Sequence, residues 1–294
     1  MTAPEQRSAL LRGATEGCAV ADTPTAEIMA PLLTGTLFRP DRYHFFPLLD
    51  STNRYAAQLA REGAAEGSVV VADQQSHGRG RLGRHWSSPA ALNLYCSLLL
   101  RPTLLPQQAA QLTLLSGLAL ARTIAALAVA GGPAVAPEIK WPNDLLLQGR
   151  KVAGILTEMR TCADAPGRIH SVVVGIGINV NGERENLPVT LRDTAIHLAE
   201  ALQRTLYRPQ LLASLLHHWE ACYECYRREG FAALRQDWLA FSRLQGRPVQ
   251  IHLASEDFYG QAMALDEEGY LLVQRTNGTL TRVVAGDVLF PEEG

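Results

Sequence analysis

The pattern of apolar and polar positions divides the chain into three parts. Residues 1–40 are rich in Ala, Thr and Pro and show little periodicity, so we expect a flexible or peripheral arm. From 41 to 245, apolar runs of strand or helix length alternate with polar breaks, which indicates one large domain. From 246 to 294 short stretches alternate apolar and polar residues between turns, which predicts a small β-barrel.

The spacing predicts the following elements in the large domain. Strands are expected at 43–48, 68–72, 93–100, 139–147, 152–160 and 170–180, with a hairpin turn at Gln148-Gly149. Helices are expected from a side-chain cap at Ser51 or Thr52 to Arg61, and at 106–130, 190–202 and 209–241. In the last part, strands are expected at 249–252, 260–265, 270–274, 279–284 and 288–290.

Composition narrows the class of protein. A chain of 294 residues that is 47% hydrophobic and 19% charged is typical of a soluble globular protein. The net charge of -2 argues against a nucleic-acid footprint over the whole protein, although it does not bear on a local basic loop, and no nucleic-acid partner is expected. The N-terminus carries Glu5 and has no apolar core, and the most apolar run, 112–130, contains Arg122. We therefore expect a cytoplasmic protein without a membrane span.

Lysine occurs at only two positions, Lys140 and Lys151, among 27 lysine and arginine residues. Lysine carries a compact point charge, whereas arginine is a wide planar fork, so these two positions favour the smaller group. A surface lysine at a strand end is the alternative for Lys151. The stretch 140–154 is the predicted chemical centre.

A glycine-arginine loop at 78–86 is the second candidate site. It contains a G-x-G-x-x-G pattern, but Pro89 follows it and no acidic residue lies between 86 and 100, which disfavours dinucleotide binding. A basic loop that binds nucleic acid is another alternative. We favour a lid in which arginines bind phosphate, with Trp86 either stacked on a flat ring or part of the core.

Six motifs in order resemble those of the biotin protein ligases, which attach biotin to carboxylase carrier domains. They lie at 50–53 (DSTN), at Gln75 with 78–86 (GRGRLGRHW), and at 93–95 (NLY), 140–144 (KWPND), 149–156 (GRKVAGIL) and 175–180 (GIGINV). The resemblance implies an α+β fold, with a central mixed sheet flanked by helices and a small C-terminal SH3-like barrel. Many relatives also carry an N-terminal DNA-binding domain, for which 1–40 is too short and too acidic.

The resemblance also implies the chemistry. ATP and Mg²⁺ would activate biotin as biotinoyl-AMP, and a lysine of a biotin carboxyl carrier protein would then accept the biotin. Catalytic roles are implied for Lys151, Arg81 and Asp144. Lys151 would bridge the biotin carboxylate and the α-phosphate. Asp144 would bind Mg²⁺ or orient the incoming amine, or is only a turn residue; Lys140 would pair with phosphate or with Asp144.

The implied binding residues form two overlapping sets. Those for biotin are Ser51, Thr52, Asn53, Gln75, Gly78, Arg79, Gly80, Arg81, Lys151, Gly154 and Gly175. Those for ATP and the adenylate are Arg79, Arg81, Arg84, Trp86, Lys140, Lys151, Gly177 and Asn179.

Other functions remain open alternatives. A lipoate or octanoate ligase or transferase shares this fold superfamily, and a biotin-sensing regulatory protein would need no catalysis. Cys222-x-x-Cys225 beside His217 and His218 has the residue types of a zinc site. Its helical spacing favours a core face, with Cys222 inside. A monomer and a homodimer are equally compatible with the sequence.

Overall fold

The computed structural model describes residues 22–129, 135–162, 165, 167–253 and 255–290. The helices are α1 Ala26–Met29, α2 Thr52–Arg61, α3 Ala109–Val129, α4 Leu198–Leu202, α5 Arg208–Glu229 and α6 Ala232–Ala240. The strands are β1 Tyr43–Leu49, β2 Ser68–Gln75, β3 Leu94–Leu100, β4 Glu138–Lys140, β5 Asp144–Leu147, β6 Arg150–Thr161, β7 Ile169–Ile178, β8 Pro248–His252, β9 Asp257–Leu265, β10 Leu271–Arg275, β11 Leu280–Val283 and β12 Asp287–Leu289.

A seven-stranded mixed sheet forms the centre of the molecule, in the order β1-β2-β3-β7-β6-β5-β4. Only β1 and β2 run parallel, because α2 and its loops connect them; the other neighbours are antiparallel. Alternate residues of β2 face opposite sides: Val69 and Val71 join the main core, and Val70 packs beneath α2. Helices thus cover both faces, and the expected α+β architecture is confirmed.

The C-terminal strands form a separate antiparallel sheet in the order β11-β10-β9-β8-β12, which has the arrangement of an SH3-like barrel. It is tied to the large sheet by Trp141, whose indole Nε1 donates a hydrogen bond to the Gly269 carbonyl at 3.1 Å. Gly269 also packs closely on Leu114 and Phe231, so its backbone approaches both helices α3 and α6. The turn between β9 and β10 of the barrel therefore packs against the large domain.

Three predicted elements need correction. The helix predicted at 190–202 is restricted to α4, because the backbone of 194–196 instead pairs with Lys151, whose N–H donates to the Thr194 carbonyl at 2.7 Å. The helix predicted at 209–241 is divided in two at Gly230, which has φ +76°. The strand predicted at 139–147 is instead a hairpin: the chain turns at 141–143, and β4 pairs antiparallel with β5, with Lys140 opposite Asp144.

The start of α2 also differs from the expectation. Ser51 occupies the N-cap position, but its side chain makes no capping hydrogen bond. The N–H of Thr52 instead donates to Oε1 of Gln75 at 2.9 Å. The first turn of this helix is therefore capped from a neighbouring strand.

The peripheral arm expected at 1–40 is wrong for the residues from 22 onwards. Met29 and Phe38 are fully buried in the main core. Asp22 pairs with the buried guanidinium of Arg208 at 2.7 Å, and Glu220 accepts the N–H of Leu37 at 2.7 Å. These apolar residues fill the space beside α5, although their spacing in the sequence is too irregular to predict a helix. Residues 1–21 lie outside the described part.

The apolar helix expected at 106–130 is buried, as predicted, over its described residues. By length and composition alone, the stretch Pro106–Leu127 could cross a membrane. However, 67% of its most apolar window is buried inside the protein, where α3 packs against α5, α6 and the sheet. Residue 130 lies outside the described residues.

Candidate active site

One cavity of about 590 Å³ opens beside the central sheet, between the large domain and the barrel. Sixteen of the predicted site residues line it: Ser51, Thr52, Asn53, Gln75, Arg79, Gly80, Arg81, Arg84, Trp86, Lys140, Asp144, Lys151, Gly154, Gly175, Gly177 and Asn179. Asn93 and Tyr95 also line it, so residues from all six motifs meet at one place. Gly78 lies outside the lining, because its backbone packs against the Trp86 carbonyl and the Ser88 hydroxyl.

The floor of the cavity is formed by Thr52, Asn53 and Gln75, and hydrogen bonds connect it to Ser97 beneath. Ser97 Oγ lies 2.6 Å from Asn53 Oδ1 and 2.8 Å from Thr52 Oγ1. Thr52 Oγ1 in turn lies 3.2 Å from Gln75 Oε1. Thr52 and Asn53 line the cavity but are almost completely buried, so the hydrogen bonds to Ser97 hold each side chain in one orientation.

Glycines on β6 and β7 leave room for side chains to cross the strands. A Cβ added at Gly177 would lie 2.6 Å from the indole of Trp86, and one at Gly175 would lie 2.0 Å from Asn53 Oδ1. Gly154 is similarly close to Trp86. Trp86 therefore rests on bare strand backbone, and its buried Nε1 has no hydrogen-bond partner among the described residues.

The glycine-arginine loop, 78–86, forms the lid loop over the cavity. Its two ends pair with each other, since the Trp86 N–H donates to the Gly78 carbonyl at 2.9 Å. Leu82 at its tip is 76% exposed and, like Gly83, has a positive φ. The loop is thus a short, ordered hairpin rather than a helix start.

All three arginines of the lid loop contact carboxylates. Arg79 forms a bidentate pair with Glu158, with its shorter contact at 2.7 Å. Arg84 pairs with Asp287 of β12. Arg81 donates to Asn143 Oδ1 at 2.7 Å and lies 3.4 Å from the same Asp287. The lid loop is therefore fastened both to the central sheet and to the barrel.

The two lysines occupy different surroundings. Lys151 Nζ lies 2.6 Å from Asp144 Oδ1 and 5.5 Å from the centre of the Trp86 ring. Lys140 has no carboxylate within ion-pair distance among the described residues, and lies 5.6 Å from the Phe290 ring centre. Burial lowers the pKa of Lys140, although the nearby Asp144 opposes that change. Asp144 thus pairs with Lys151 and not with Lys140.

Sequence reasoning missed four residues of the site: Ser97, Asn143, Glu158 and Asp287. Ser97 could have been noticed, because it is a single hydroxyl within the otherwise apolar run 96–100. Glu158 and Asp287 give no local signal, since only the folded chain brings them to the lid loop. A further wall of the cavity comes from 193–195, in the stretch that was predicted to be helical.

Comparison with known proteins shows the family. Residues 45–179 match the model described as "Biotin/lipoate A/B protein ligase family", and 245–290 match "Biotin protein ligase C terminal domain". A biotin--[acetyl-CoA-carboxylase] ligase of Paracoccus denitrificans is 36% identical over 249 residues, which are 82% of this chain and 97% of that protein. The chain belongs to the biotin protein ligase family. The Bacillus subtilis "Bifunctional ligase/repressor BirA" of this family is 36% identical, over 90% of this chain and 78% of that protein.

A solved structure of the family has the same fold. The biotin protein ligase from Aquifex aeolicus in complex with biotin and ATP superposes with a TM-score of 0.71 at 26% identity. The match covers 85% of this chain and 98% of that one. The described architecture is thus that of biotin protein ligases, from the mixed sheet to the C-terminal barrel.

Proposed function

We propose that this protein is an ATP-dependent ligase that activates biotin as biotinoyl-AMP and transfers it to a lysine of a biotin carboxyl carrier protein. The observation that carries the proposal is the cavity itself. It combines a hydrogen-bonding floor, a cationic lid loop and the Lys151–Asp144 pair, next to an indole ring. The match of 245–290 to the biotin protein ligase C-terminal domain, and the similarity to the Paracoccus denitrificans ligase, favour biotin over lipoate as the substrate.

The floor suits the ureido ring of biotin. Buried polar atoms of a ligand need partners, since an unpaired one costs about 1–3 kcal/mol. Ser51, Thr52 and Gln75 supply hydroxyl and amide groups, and Asn53 adds a free lone pair on Oδ1. In this proposal Gly154 and Gly175 let the ligand approach strand backbone, and Arg79 lies above it.

The nucleotide would lie beside Trp86, Gly177 and Asn179. In the first step, a carboxylate oxygen of biotin attacks the α-phosphorus of ATP, and the bond to pyrophosphate breaks. Lys151 contacts both reacting groups, while Arg81, Arg84 and Lys140 neutralise the phosphates. In the second step, the acceptor amine attacks the carbonyl of the anhydride, and AMP leaves.

Asp144 would orient the incoming amine and help to bind Mg²⁺. The described residues contain no cluster of three or more His, Cys, Asp or Glu side chains that could bind a metal alone. Mg²⁺ needs no such cluster, because it commonly binds through one or two carboxylates and the substrate phosphates. Oδ1 of Asp144 contacts Lys151 and Asn143, which leaves Oδ2 for a cation.

Domain limits, partner and location are parts of the same proposal. We assign 41–245 to the ligase domain and 246–294 to the barrel. The acceptor is the carrier protein of acetyl-CoA carboxylase or a related carboxylase, as the Paracoccus denitrificans relative's name suggests. The protein acts in the cytoplasm as a monomer or homodimer, without nucleic acid or membrane partners, in keeping with its net charge of -2.

A transfer assay tests the proposal. Purified protein is incubated with ATP, Mg²⁺, labelled biotin and a carrier domain that another biotin ligase is known to modify. We expect pyrophosphate release and label on the carrier, but no label on a carrier whose acceptor lysine is replaced by arginine. Absence of transfer, or faster transfer of lipoate than of biotin, would contradict the proposal.

A further inference from the structure

Glu158 on β6 is the meeting point of the cavity floor and the lid loop. Its Oε1 accepts a hydrogen bond from Arg79 Nη2 at 2.7 Å. Its Oε2 accepts one from Asn53 Nδ2 at 2.9 Å and one from Arg79 Nη1 at 3.3 Å. A single carboxylate therefore contacts one residue below the predicted ligand and one above it.

Asn53 is fixed on every side, so it gives Glu158 a rigid partner. Its Nδ2 donates to the Leu156 carbonyl at 3.1 Å as well as to Glu158, and its Oδ1 accepts from the Ser97 hydroxyl at 2.6 Å. The bare backbone of Gly175 closes the remaining side. Both amide hydrogens of Asn53 are thus engaged, and rotation of its side chain would break three hydrogen bonds.

Arg79, by contrast, depends on Glu158 alone. The side chain of Arg79 is 44% exposed and, among the described residues, makes hydrogen bonds only to Glu158. The backbone beside it is paired, since the Gly80 N–H donates to the Arg84 carbonyl at 2.7 Å, so Glu158 restrains the side chain alone. Two of the five N–H donors of the guanidinium contact Glu158, which leaves three for a ligand.

The other end of the lid loop is joined to the floor by neutral groups. Gln75 Oε1 accepts the Thr52 N–H at 2.9 Å, and Gln75 Nε2 donates to Ser88 Oγ at 3.0 Å. Ser88 Oγ in turn lies 3.0 Å from the Trp86 carbonyl oxygen. The hydrogen bonds of Gln75 thus hold loop backbone near Trp86. Those of Glu158 hold a charged side chain, that of Arg79, over the floor of the cavity.

We infer that Glu158 is a positioning residue, which holds Arg79 over the biotin site by linking it to Asn53. This inference rests on the proposed function. A guanidinium held in place before the ligand arrives loses less side-chain freedom on binding, so biotin should bind more tightly and its adenylate should leave more slowly. Glu158 itself does not touch the reacting atoms.

The test compares Glu158→Ala with the wild type in biotin binding and adenylate release. We expect the apparent KM for biotin and the release rate of biotinoyl-AMP to rise by about 10- to 100-fold. The kcat of transfer at saturating biotin and the Tm should change little. Glu158→Gln keeps an acceptor for Asn53 without the charge, and should restore part of the loss.

A double-mutant cycle with Arg79→Ala separates positioning from other roles. If Glu158 acts through Arg79, Glu158→Ala should have no further effect in the Arg79→Ala background. Equal effects in both backgrounds, or tighter biotin binding by Glu158→Ala, would overturn the inference.

Glu256→Ala is the matched control, because it breaks a bidentate pair with Arg275 on the barrel, outside the cavity lining. It should behave as the wild type. If the wild type and Glu256→Ala both fail to transfer biotin, the proposed function fails. If they transfer biotin and Glu158→Ala equals them in KM and release rate, only the inference fails.

Discussion

The ammonium of Lys151 lies 2.6 Å from Asp144 Oδ1, across the hydrogen-bonded strands β6 and β5. Backbone pairing at 194–196 holds Lys151 from its other side, and Gly154 lies close to the end of its side chain. An added Cβ at Gly154 would be 3.2 Å from Lys151 Cε. The side chain of Lys151 thus lies between the Gly154 backbone and Asp144.

Lys151→Arg should therefore not be a conservative change. The wider guanidinium should misplace the contacts that Lys151 makes with the carboxylate and the phosphate, so the rate of pyrophosphate release should fall by about 100-fold or more. Arg150→Lys is the control, since it exchanges the same residue types at the adjacent position, where Arg150 pairs with Glu200 at 2.8 Å. A folded Lys151→Arg protein with wild-type adenylation would show that this role of Lys151 is wrong.

Arg81→Gly should release the adenylate into solution. Arg81 fastens the lid loop to Asn143 and to β12, so its loss should raise the off-rate of biotinoyl-AMP more than it lowers adenylation. The free anhydride would then label a lysine-rich bystander protein, detected by a biotin probe.

Leu82→Gly provides the comparison for Arg81→Gly. It places a glycine in the same loop at an exposed side chain with φ +54°, and keeps all three arginines. It should label bystanders no more than the wild type. If Arg81→Gly also labels bystanders no more than the wild type while it still makes adenylate, Arg81 does not hold the lid loop closed. The stability cost of either change should be under about 1 kcal/mol.

Met29→Ala should destabilise the protein although it lies far from the cavity. Met29 is fully buried in the main core, and such truncations cost about 2–5 kcal/mol. Urea unfolding should show that loss of unfolding free energy. Removal of residues 1–40, which takes away Met29 and Phe38 together, should prevent stable folding. Thr34→Ala, at an exposed position of the same segment, is the control. An active, stable protein that lacks 1–40 would contradict this prediction.

Stability should fall as the pH falls below about 6.5, the ordinary pKa of histidine. His197 is fully buried, and neither ring nitrogen meets a hydrogen-bond partner among the described residues. Burial lowers its pKa, so between that lowered pKa and 6.5 only the unfolded chain binds the proton. Acid therefore lowers the free energy of unfolding, by up to about 1.4 kcal/mol per pH unit for one proton.

The His197 contribution can be isolated by urea unfolding between pH 5.5 and 8. The slope of the unfolding free energy with pH in His197→Gln should be smaller than in the wild type below about pH 6.5. His217→Gln is the matched substitution at an exposed site on α5. An identical slope in the wild type and His197→Gln would mean that His197 does not contribute.

Most strands and the architecture could be predicted because their signals are local. Gln148 and Gly149 both have positive φ, as the predicted hairpin turn requires, and β7 is an apolar run buried on both faces. The failures have tertiary causes. The stretch before α4 lacks helix because its backbone pairs with Lys151, and Ser51 does not cap α2 because Gln75 supplies the acceptor.

In the candidate site, too, residues with a local signal could be predicted and residues placed by tertiary contacts could not. Motif residues such as Lys151 and Trp86 could be named from the sequence, because dense glycine and a rare lysine mark them. The carboxylate partners of the lid-loop arginines could not be named, since Glu158 lies 79 positions from Arg79 and Asp287 lies 203 positions from Arg84. Contacts across such distances arise only when the sheet and the barrel pack together.

Both lysines of the chain line the cavity, and the other 25 of the 27 lysine and arginine residues are arginines, which resist acylation at neutral pH. Apart from an α-amino group, the outer surface therefore offers no amine to a mixed anhydride. An ordinary amine-directed reagent thus becomes a probe of the cavity, and protection from it would report occupancy by a substrate.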